Sequence, residues 1–284
     1  MERSFLQIVK TEFNLGLNKE YRFFQISDMH FAILDEQSSE IDINDFTRYH
    51  KQWDSLKYEL ARQNNEFCDE RYDVEPNIIF EKLCNHAQGE FNADLIICSG
   101  DLFDRVSESN IRYLSNYKKT LSVPIIYCPG NHEHMNEKGN HINQKHRLKD
   151  FMDENGIEIL DFEDFLLVSF DNGSDDITDY QVEKFKEIIE TNKKILLVIH
   201  KPLNMGDFGN NLLGKFGSYF FMGKPGDSEN IKKIIKLIED NDMHFIAVLC
   251  GHIHSVQEYK ITENLIQIST SSGLIGAGRE IIIK

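Results

Sequence analysis

Short apolar runs alternate with amphipathic stretches over most of the chain, and this alternation gives the first structural signal. The apolar runs have the length of strands, and the stretches between them have helical spacing. The strand-like runs cover residues 95–98, 125–128, 166–170, 195–199 and 245–250, and the helical patterns lie near 108–119, 141–154, 178–192 and 228–240. Strands that alternate with helices predict an α/β fold with a largely parallel sheet.

The two ends of the chain have a different pattern. Residues Ser4–Phe13 and Tyr21–Ser27 are rich in strand-forming residues and flank a polar turn, which predicts an opening β-hairpin. Residues 256–284 predict short strands joined by a turn rich in Ser and Gly. The sheet is therefore expected to be mixed.

Two longer stretches interrupt the alternation. Residues 35–92 predict a helical insertion with helices around 45–66 and 77–89, which either roofs a site or extends the helical layer. Residues 201–227 form a Gly-rich loop of a length that often marks a lid or a binding loop. The aromatic residues of this loop either cover a ligand or complete the core, and they are Phe208, Phe216, Tyr219, Phe220 and Phe221.

The chain of 284 residues is strongly acidic, with a formal net charge of −16. Because non-specific binding to nucleic acid depends on Lys and Arg that neutralise phosphates, this charge disfavours such binding. It does not exclude a nucleic-acid substrate, since bound metal ions add local positive charge. The five cysteines have no CxxC spacing, and the sequence has no secretory signal or apolar span of ~20 residues, so a cytoplasmic protein without a membrane segment is expected.

Polar residues of metal-binding type follow three of the predicted strands. Asp28 and His30 follow the first, and residues two apart in an extended segment face the same side. The segments 100–105 (GDLFDR) and 130–133 (GNHE) follow the next two. An isolated Asp after a strand is usually a turn or cap residue. Recurrence at three strand ends instead indicates one shared site, because ligands of α/β sheets bind beyond the carboxyl ends of strands.

Histidines follow two further predicted strands. His200 follows the run at 195–199, and His252 and His254 form a His-x-His pair after the run at 245–250. Two imidazoles at one strand end commonly hold a divalent metal. Together the five segments supply a mixed oxygen and nitrogen ligand set: Asp28, His30, Asp101, Asn131, His200, His252 and His254.

This ligand set has no thiolate, so it suits Mn, Fe, Zn, Co or Ni, of which two Mn, Fe or Zn ions are the expected cofactors. Seven side chains can give each of two metals four protein ligands only if one carboxylate bridges them, and Asp101 is central in the order. A domain boundary between residues 28 and 254 would split the site. One domain over residues 1–284 is therefore expected.

The motifs Asp-x-His, Gly-Asp-x-x-Asp, Gly-Asn-His-Glu, a later His and Gly-His-x-His, in this order, resemble those of the calcineurin-like metallophosphoesterase superfamily. The resemblance covers roughly residues 22 to 255. It implies an α/β fold built as a β-sandwich of two mixed sheets flanked by helices. It further implies one metal held by Asp28, His30, Asp101 and His254, a second held by Asp101, Asn131, His200 and His252, and His132 beside them as leaving-group acid or transition-state stabiliser.

The expected reaction is hydrolysis of a phosphoric ester with a metal-bound hydroxide as nucleophile. Two cations ~3.5–4 Å apart can clamp the attacking and leaving oxygens and lower the pKa of bound water towards ~7. Asp104 either orients a histidine ligand or caps the helix near residue 108. Arg105 either contacts the substrate phosphate or pairs with surface acids.

A small phosphomonoester or phosphodiester is the expected substrate, and a nuclease is the alternative. Repair nucleases of the superfamily usually carry further domains for DNA, and few residues follow His254. The Gly-His-x-His motif differs from that of the Ser/Thr protein phosphatase branch, which makes a protein phosphatase less favoured. A non-catalytic scaffold is also less favoured, because it would be free to lose ligands and none is missing. The sequence does not fix the oligomeric state.

Overall fold

Two β-sheets flanked by α-helices form the framework of the residues that the computed structural model describes, which are 5–44, 46–48, 74–135, 147–174, 176–206 and 221–284. The strands are β1 Gln7–Phe13, β2 Tyr21–Ile26, β3 Leu95–Cys98, β4 Ile125–Tyr127, β5 Ile157–Asp161, β6 Phe165–Phe170, β7 Lys194–Val198, β8 Phe245–Cys250, β9 Gln257–Lys260, β10 Ile266–Ser269 and β11 Ala277–Ile283. The α-helices are α1 Pro76–Gln88, α2 Glu108–Lys118, α3 Asp179–Glu190 and α4 Glu229–Asp240.

Both sheets are mixed, as the sequence predicts. The first has the strand order β1-β11-β2-β3-β4, in which β2, β3 and β4 are parallel and β11 runs antiparallel to β2. The second has the order β5-β6-β7-β8-β10-β9, in which β6, β7, β8 and β10 are parallel between two antiparallel edge strands. The carboxyl ends of β2, β3 and β4, and those of β7 and β8, therefore lie at common edges.

Alternate residues of the strands build a layered core. Phe23 and Ile97 of the first sheet share an apolar cluster with Leu167 of the second, which places this cluster between the sheets. Their neighbours in sequence face outwards, where Phe24 packs in a cluster with residues of α1. The outer face of the second sheet packs in the same way against α3 and α4. The expected sandwich of two mixed sheets flanked by helices is confirmed.

The predicted opening hairpin is wrong, because β11 lies between β1 and β2. β1 pairs with β11 in parallel, and β2 pairs with it in the antiparallel direction. The isoleucines Ile281 and Ile283 are fully buried between the sheets, so this strand takes a central place. The link between β1 and β2 crosses the end of β11, where the amides of Leu15 and Gly16 donate to the carbonyl of Lys284.

The helical pattern near 141–154 is also wrong where the structure describes it. Leu148, Phe151 and Met152 have helical spacing and are buried, but their hydrogen bonds complete a single turn before the chain bends at Asp153. Residues 141–146 lie outside the described part. The helices predicted near 108–119, 178–192 and 228–240 are confirmed as α2, α3 and α4.

The insertion and the Gly-rich loop are described only in part. The helix expected at 77–89 is α1, and residues 40–44 and 46–48 are helical, whereas the rest of the helix expected around 45–66 lies outside the described residues. In the loop, Phe208, Phe216, Tyr219 and Phe220 lie outside the described residues. Phe221 is fully buried in the cluster beneath α3 and α4, as the core interpretation predicts for this residue. Across the described ranges, every helix is too short or too polar to cross a bilayer.

Candidate metal centre

Loops from both sheets bring the predicted ligands together at one end of the sandwich. The first sheet supplies the ligands that follow β2, β3 and β4, and the second sheet supplies those that follow β7 and β8. Direct contacts join the two groups, since the amide of His252 donates to the Asp28 carboxylate at 3.0 and 3.1 Å. The site therefore spans the two sheets.

One group of ligand atoms surrounds His254. Its Nε2 atom lies 3.2 Å from Oδ1 of Asp28 and 3.2 Å from Nε2 of His30. The same nitrogen of His30 lies 3.9 Å from Oδ2 of Asp101. These four side chains are the set that the resemblance implies for the first metal.

A second group surrounds His200. Its Nε2 atom lies 3.1 Å from Nδ1 of His252, 3.2 Å from Oδ1 of Asn131 and 3.2 Å from Oδ2 of Asp101. The other ring nitrogen, Nδ1, is 2.8 Å from the carbonyl of Ser99 and donates to it, which leaves Nε2 unprotonated when the ring is neutral. These four side chains are the set implied for the second metal.

The spacing within each group fits a bound metal ion. Metal bonds to such nitrogen and oxygen ligands are ~2.0–2.2 Å long, so ligand atoms at roughly 90–110° to one another lie ~2.8–3.6 Å apart. The separations of 3.1–3.2 Å around His200 and His254 lie in that range. Oδ2 of Asp101 faces both groups, while its Oδ1 accepts the amide of His132 at 2.9 Å. Asp101 thus presents one oxygen to both groups, as a bridging carboxylate does.

The loops reach this geometry through unusual backbone. Five candidate ligands have a positive φ between 47° and 68°, a region that non-glycine residues seldom occupy. These are Asp28, His30, Asp101, His252 and His254. Two motif glycines allow the close approach of neighbouring loops. A Cβ on Gly130 would lie 2.1 Å from Oδ1 of Asp101, and one on Gly251 would lie 1.8 Å from Oγ of Ser27.

Burial and mutual charge set the protonation of the site without metal. Burial raises the pKa of Asp101, but nearby imidazoles outweigh this and hold it well below its usual range. Burial lowers the pKa of His200, but the Asp101 carboxylate outweighs this and raises it to about 9. For His30 and His252, burial and neighbouring imidazoles hold the pKa well below its ordinary value. Those two rings are already in the neutral form that binds metal.

His132 lies beside the two groups and is held by Asp104. Its Nδ1 is 3.0 Å from the Asp104 carbonyl oxygen and 3.4 Å from Oδ1 of the same residue, so Nδ1 carries the proton and donates it. A ring nitrogen of His132 lies within 4.8 Å of ligand atoms of His30 and Asp101. Burial lowers the pKa of His132, but the carboxylates of Asp101 and Asp104 outweigh this and raise it.

Asp104 and Arg105 both lie against His132. Ser107 caps α2 by accepting the amide of Asn110, so Asp104 is not the cap and its carboxylate faces His132. Arg105 is 8% exposed, and its Nη1 donates to the Asp104 carbonyl at 2.9 Å and lies 3.5 Å from Nδ1 of His132. Its guanidinium therefore lies beside His132 and away from the protein surface.

Two further buried side chains position the loops, and the sequence analysis assigned no role to either. Glu133 accepts the amides of Asp101, Phe103 and Gly130 at 2.7–3.0 Å and so joins the loops after β3 and β4. Asn172 accepts the amide of His200 at 2.9 Å. Each had a sequence signal: Glu133 ends the GNHE segment, and Asn172 follows β6 as the ligands follow their strands.

A further histidine, His134, comes directly after the GNHE segment. It is buried, and its Nε2 lies 3.0 Å from Oδ1 of the buried Asp171. Asp171 also accepts the amide of Gly173 at 3.0 Å. His134 thus fixes the loop that carries Asn131 to the loop after β6. His141 and His146 lie outside the described residues.

Comparisons with known proteins identify a family and a similar fold. A sequence profile described as "Calcineurin-like phosphoesterase" matches residues 21–256. No curated protein sequence matches the chain. A dimetal phosphatase from Danio rerio has a similar fold at 10% identity and a TM-score of 0.53, with 92% of this chain and 91% of that chain covered. A phosphopantetheinyl hydrolase from Mycobacterium tuberculosis aligns at 10% identity and a TM-score of 0.45, with 91% and 92% covered.

The profile match extends over most of the chain and contains all five motifs whose loops meet at the site. It therefore shows the family directly, and the zebrafish structure shows the same fold. The chain belongs to the calcineurin-like phosphoesterase family and is a metal-dependent hydrolase of phosphoric esters.

Proposed function

We propose that this protein hydrolyses a small phosphomonoester or phosphodiester at a two-metal centre held by the seven clustered side chains, with His132 acting on the leaving oxygen. The observation that carries the proposal is the position of Asp101, whose Oδ2 faces both His200 and His30. A single metal would not use two complete groups of donors. Because ligands from both sheets form the site, we also propose one domain over residues 1–284.

The donor set supports the choice of metal. It contains four imidazoles, two carboxylates and one amide oxygen, which suits Mn, Fe or Zn. When bound, two such cations supply a water-derived nucleophile at neutral pH and neutralise charge on the phosphoryl oxygens. The two carboxylates, Asp28 and Asp101, offset the charge of the cations in a buried place.

The remaining residues act on the substrate. With Nδ1 bonded to Asp104, His132 presents Nε2 as the nitrogen that can donate a proton or a hydrogen bond to the leaving oxygen. Arg105 lies next to His132, and its guanidinium can donate to a non-bridging phosphoryl oxygen. Both residues contribute positive charge where negative charge develops in the transition state.

Metal analysis tests the dinuclear centre. Protein reconstituted with Mn²⁺ is expected to contain close to two metals per chain, and Asp101→Asn should lose most of both, since it weakens the proposed bridge. The matched control is Asp161→Asn, whose carboxylate pairs with Lys193 on the surface and should leave the metal content unchanged. Less than one metal per wild-type chain would contradict the proposal.

Substrate screening tests the reaction. Aryl monophosphates and aryl phosphodiesters should be hydrolysed faster than single-stranded DNA, as the acidic surface disfavours a polyanionic substrate. His132→Ala should reduce kcat on an alkyl phosphate, whose leaving group needs a proton, by ~10²–10⁴ while the metal content stays at two per chain. His86→Ala, which removes an imidazole paired with Glu280 away from the site, serves as the control. Faster cleavage of DNA would contradict the small substrate.

A further inference from the structure

In the described part of the predicted insertion, Arg48 reaches the candidate site. Residues 46–48 are helical, and Nη2 of Arg48 donates to Oδ2 of Asp104. Asp104 is fully buried, whereas the side chain of Arg48 is 35% exposed. The guanidinium therefore approaches a buried carboxylate from the solvent side.

The two oxygens of this carboxylate have different neighbours. Oδ2 accepts from Arg48, and Oδ1 lies 3.4 Å from Nδ1 of His132. The main-chain oxygen of Asp104 accepts from the same Nδ1 at 3.0 Å. A rotation of the Asp104 side chain would therefore break the contact with Arg48 and change the support of the His132 ring together.

Anchors to helix α2 fix the start of the insertion close to Asp104. Nε and Nη2 of Arg112 each donate to the Asp35 carboxylate at 2.8 Å. The amide of Ile33 donates to Oδ1 of Asn110 at 2.8 Å. Both partners lie on α2, which begins soon after Asp104. The same helix thus sets the position of the insertion and of Asp104.

We propose that Arg48 is a positioning residue that holds the Asp104 carboxylate in the orientation that keeps His132 directed at the leaving oxygen. This inference rests on the proposed function, because it needs His132 to assist the leaving group. A charge-assisted hydrogen bond fixes the carboxylate more firmly than a neutral one. Without it, a buried carboxylate would lose a charge partner and turn towards other donors. The insertion therefore takes part in catalysis through Arg48.

Leaving-group dependence distinguishes this role from a general structural one. Nitrophenyl phosphate has a good leaving group that needs little help, whereas an alkyl phosphate has a poor one that needs a proton. Arg48→Ala should lower kcat about tenfold for the alkyl substrate and less than about twofold for nitrophenyl phosphate. The tenfold loss is smaller than the ~10²–10⁴ expected for His132→Ala on the alkyl substrate, because the variant only weakens the support of His132. KM and metal content should stay as in the wild type.

Further variants sharpen the test. Arg48→Lys keeps the charge but not the planar donor group, and it should restore part of the lost kcat. Adding Arg48→Ala to His132→Ala should have no further effect on the alkyl substrate, since both act on one step. Arg22→Ala is the control, because Arg22 lies near the start of β2 and pairs with Glu20 at the opposite end of the strand from Asp28.

The possible failures are distinct. Equal loss of kcat on both substrates, or a rise in KM alone, would overturn the role of Arg48 while His132→Ala still showed its dependence on the leaving group. If His132→Ala itself slowed both substrates equally, the role of His132 in the proposed function would fail, and the inference on Arg48 with it. Thermal unfolding of each variant confirms that the chain is folded.

Discussion

Strained backbone at the candidate ligands is the main feature of the site at the scale of single residues. A left-handed backbone costs a non-glycine residue roughly 1–2 kcal/mol, and five of the seven candidate ligands adopt it. The sharp turn lets side chains at the strand ends face the site. A bound metal would offset the cost of this strain.

His254 allows a direct measurement of that strain. Its φ is 48°, and its Gly and Ala variants remove nearly the same side-chain atoms, so they differ chiefly in how well they tolerate this backbone. We expect metal-free His254→Gly to be more stable than His254→Ala by ~0.5–1 kcal/mol in urea unfolding, because glycine tolerates this backbone. At the exposed Glu187 in helix α3 the order should reverse by ~1 kcal/mol, as glycine weakens a helix. An Ala variant at 254 equal in stability to the Gly variant would show that the turn is unstrained.

His200 links metal binding to pH. Because Asp101 raises the pKa of His200 to about 9, the metal-free ring is protonated at neutral pH and must lose its proton to bind metal. Metal affinity should therefore rise with pH, by ~tenfold per pH unit for one displaced proton, and level off above the pKa of the ring. Addition of Zn²⁺ to weakly buffered protein should release protons. Binding that is independent of pH and releases none would refute this expectation.

At the scale of elements, Glu133 joins the loops after β3 and β4. Its Oε2 accepts two amides, those of Asp101 and Gly130, and its Oε1 accepts the amide of Phe103. Both carboxylate oxygens of Glu133 already accept hydrogen bonds from backbone amides. An NH₂ group in place of either oxygen would therefore face a backbone N–H group and could not bond to it. The residue acts as an acceptor for two loops that carry candidate ligands.

Glu133→Gln tests this arrangement with almost no change of shape. Whichever way the amide turns, its NH₂ group meets at least one backbone donor, so the free energy of unfolding should fall by ~1–3 kcal/mol. Metal affinity should fall as well, since Asp101 loses its support. Glu187→Gln changes an exposed carboxylate and should alter the unfolding midpoint little. An equal effect of the two substitutions in urea unfolding would argue against the role of Glu133.

The elements also show what the sequence can predict. The ligand loops were predictable because each ligand stands beside the strand that positions it, as Asp101 stands after β3. The pairing of β1 was not predictable, since its partner β11 lies at the other end of the chain. The position of Asn172 after β6 was a signal for the site, but its contact with the amide of the distant His200 could not be predicted from local sequence.

At the scale of the whole molecule, the site connects the two sheets. Asp28, His30, Asp101 and Asn131 follow strands of the first sheet, and the remaining ligands follow strands of the second. Each metal would take ligands from both. Bound metals should therefore hold the sheets together, and their removal should affect the whole fold.

Chelation tests this connection. A ligand present at ~1,000 times its Kd stabilises the folded state by ~4 kcal/mol, so removal of the metals with EDTA should lower the Tm by several degrees. The Asp101→Asn variant, which is expected to hold little metal, should show a much smaller shift. If calorimetry finds the same Tm with and without EDTA in the wild type, the metals do not stabilise the packing of the two sheets.

The place of β11 between β1 and β2 also has a consequence during synthesis. Among the described strands, β1 lies at the edge of the first sheet and pairs with β11, which comes last of these strands in chain order. At ~5–20 residues per second, β1 waits on the order of tens of seconds for its partner. The nascent chain can pair β2 with β3 early, but it can close its first sheet only after β11 has been synthesised.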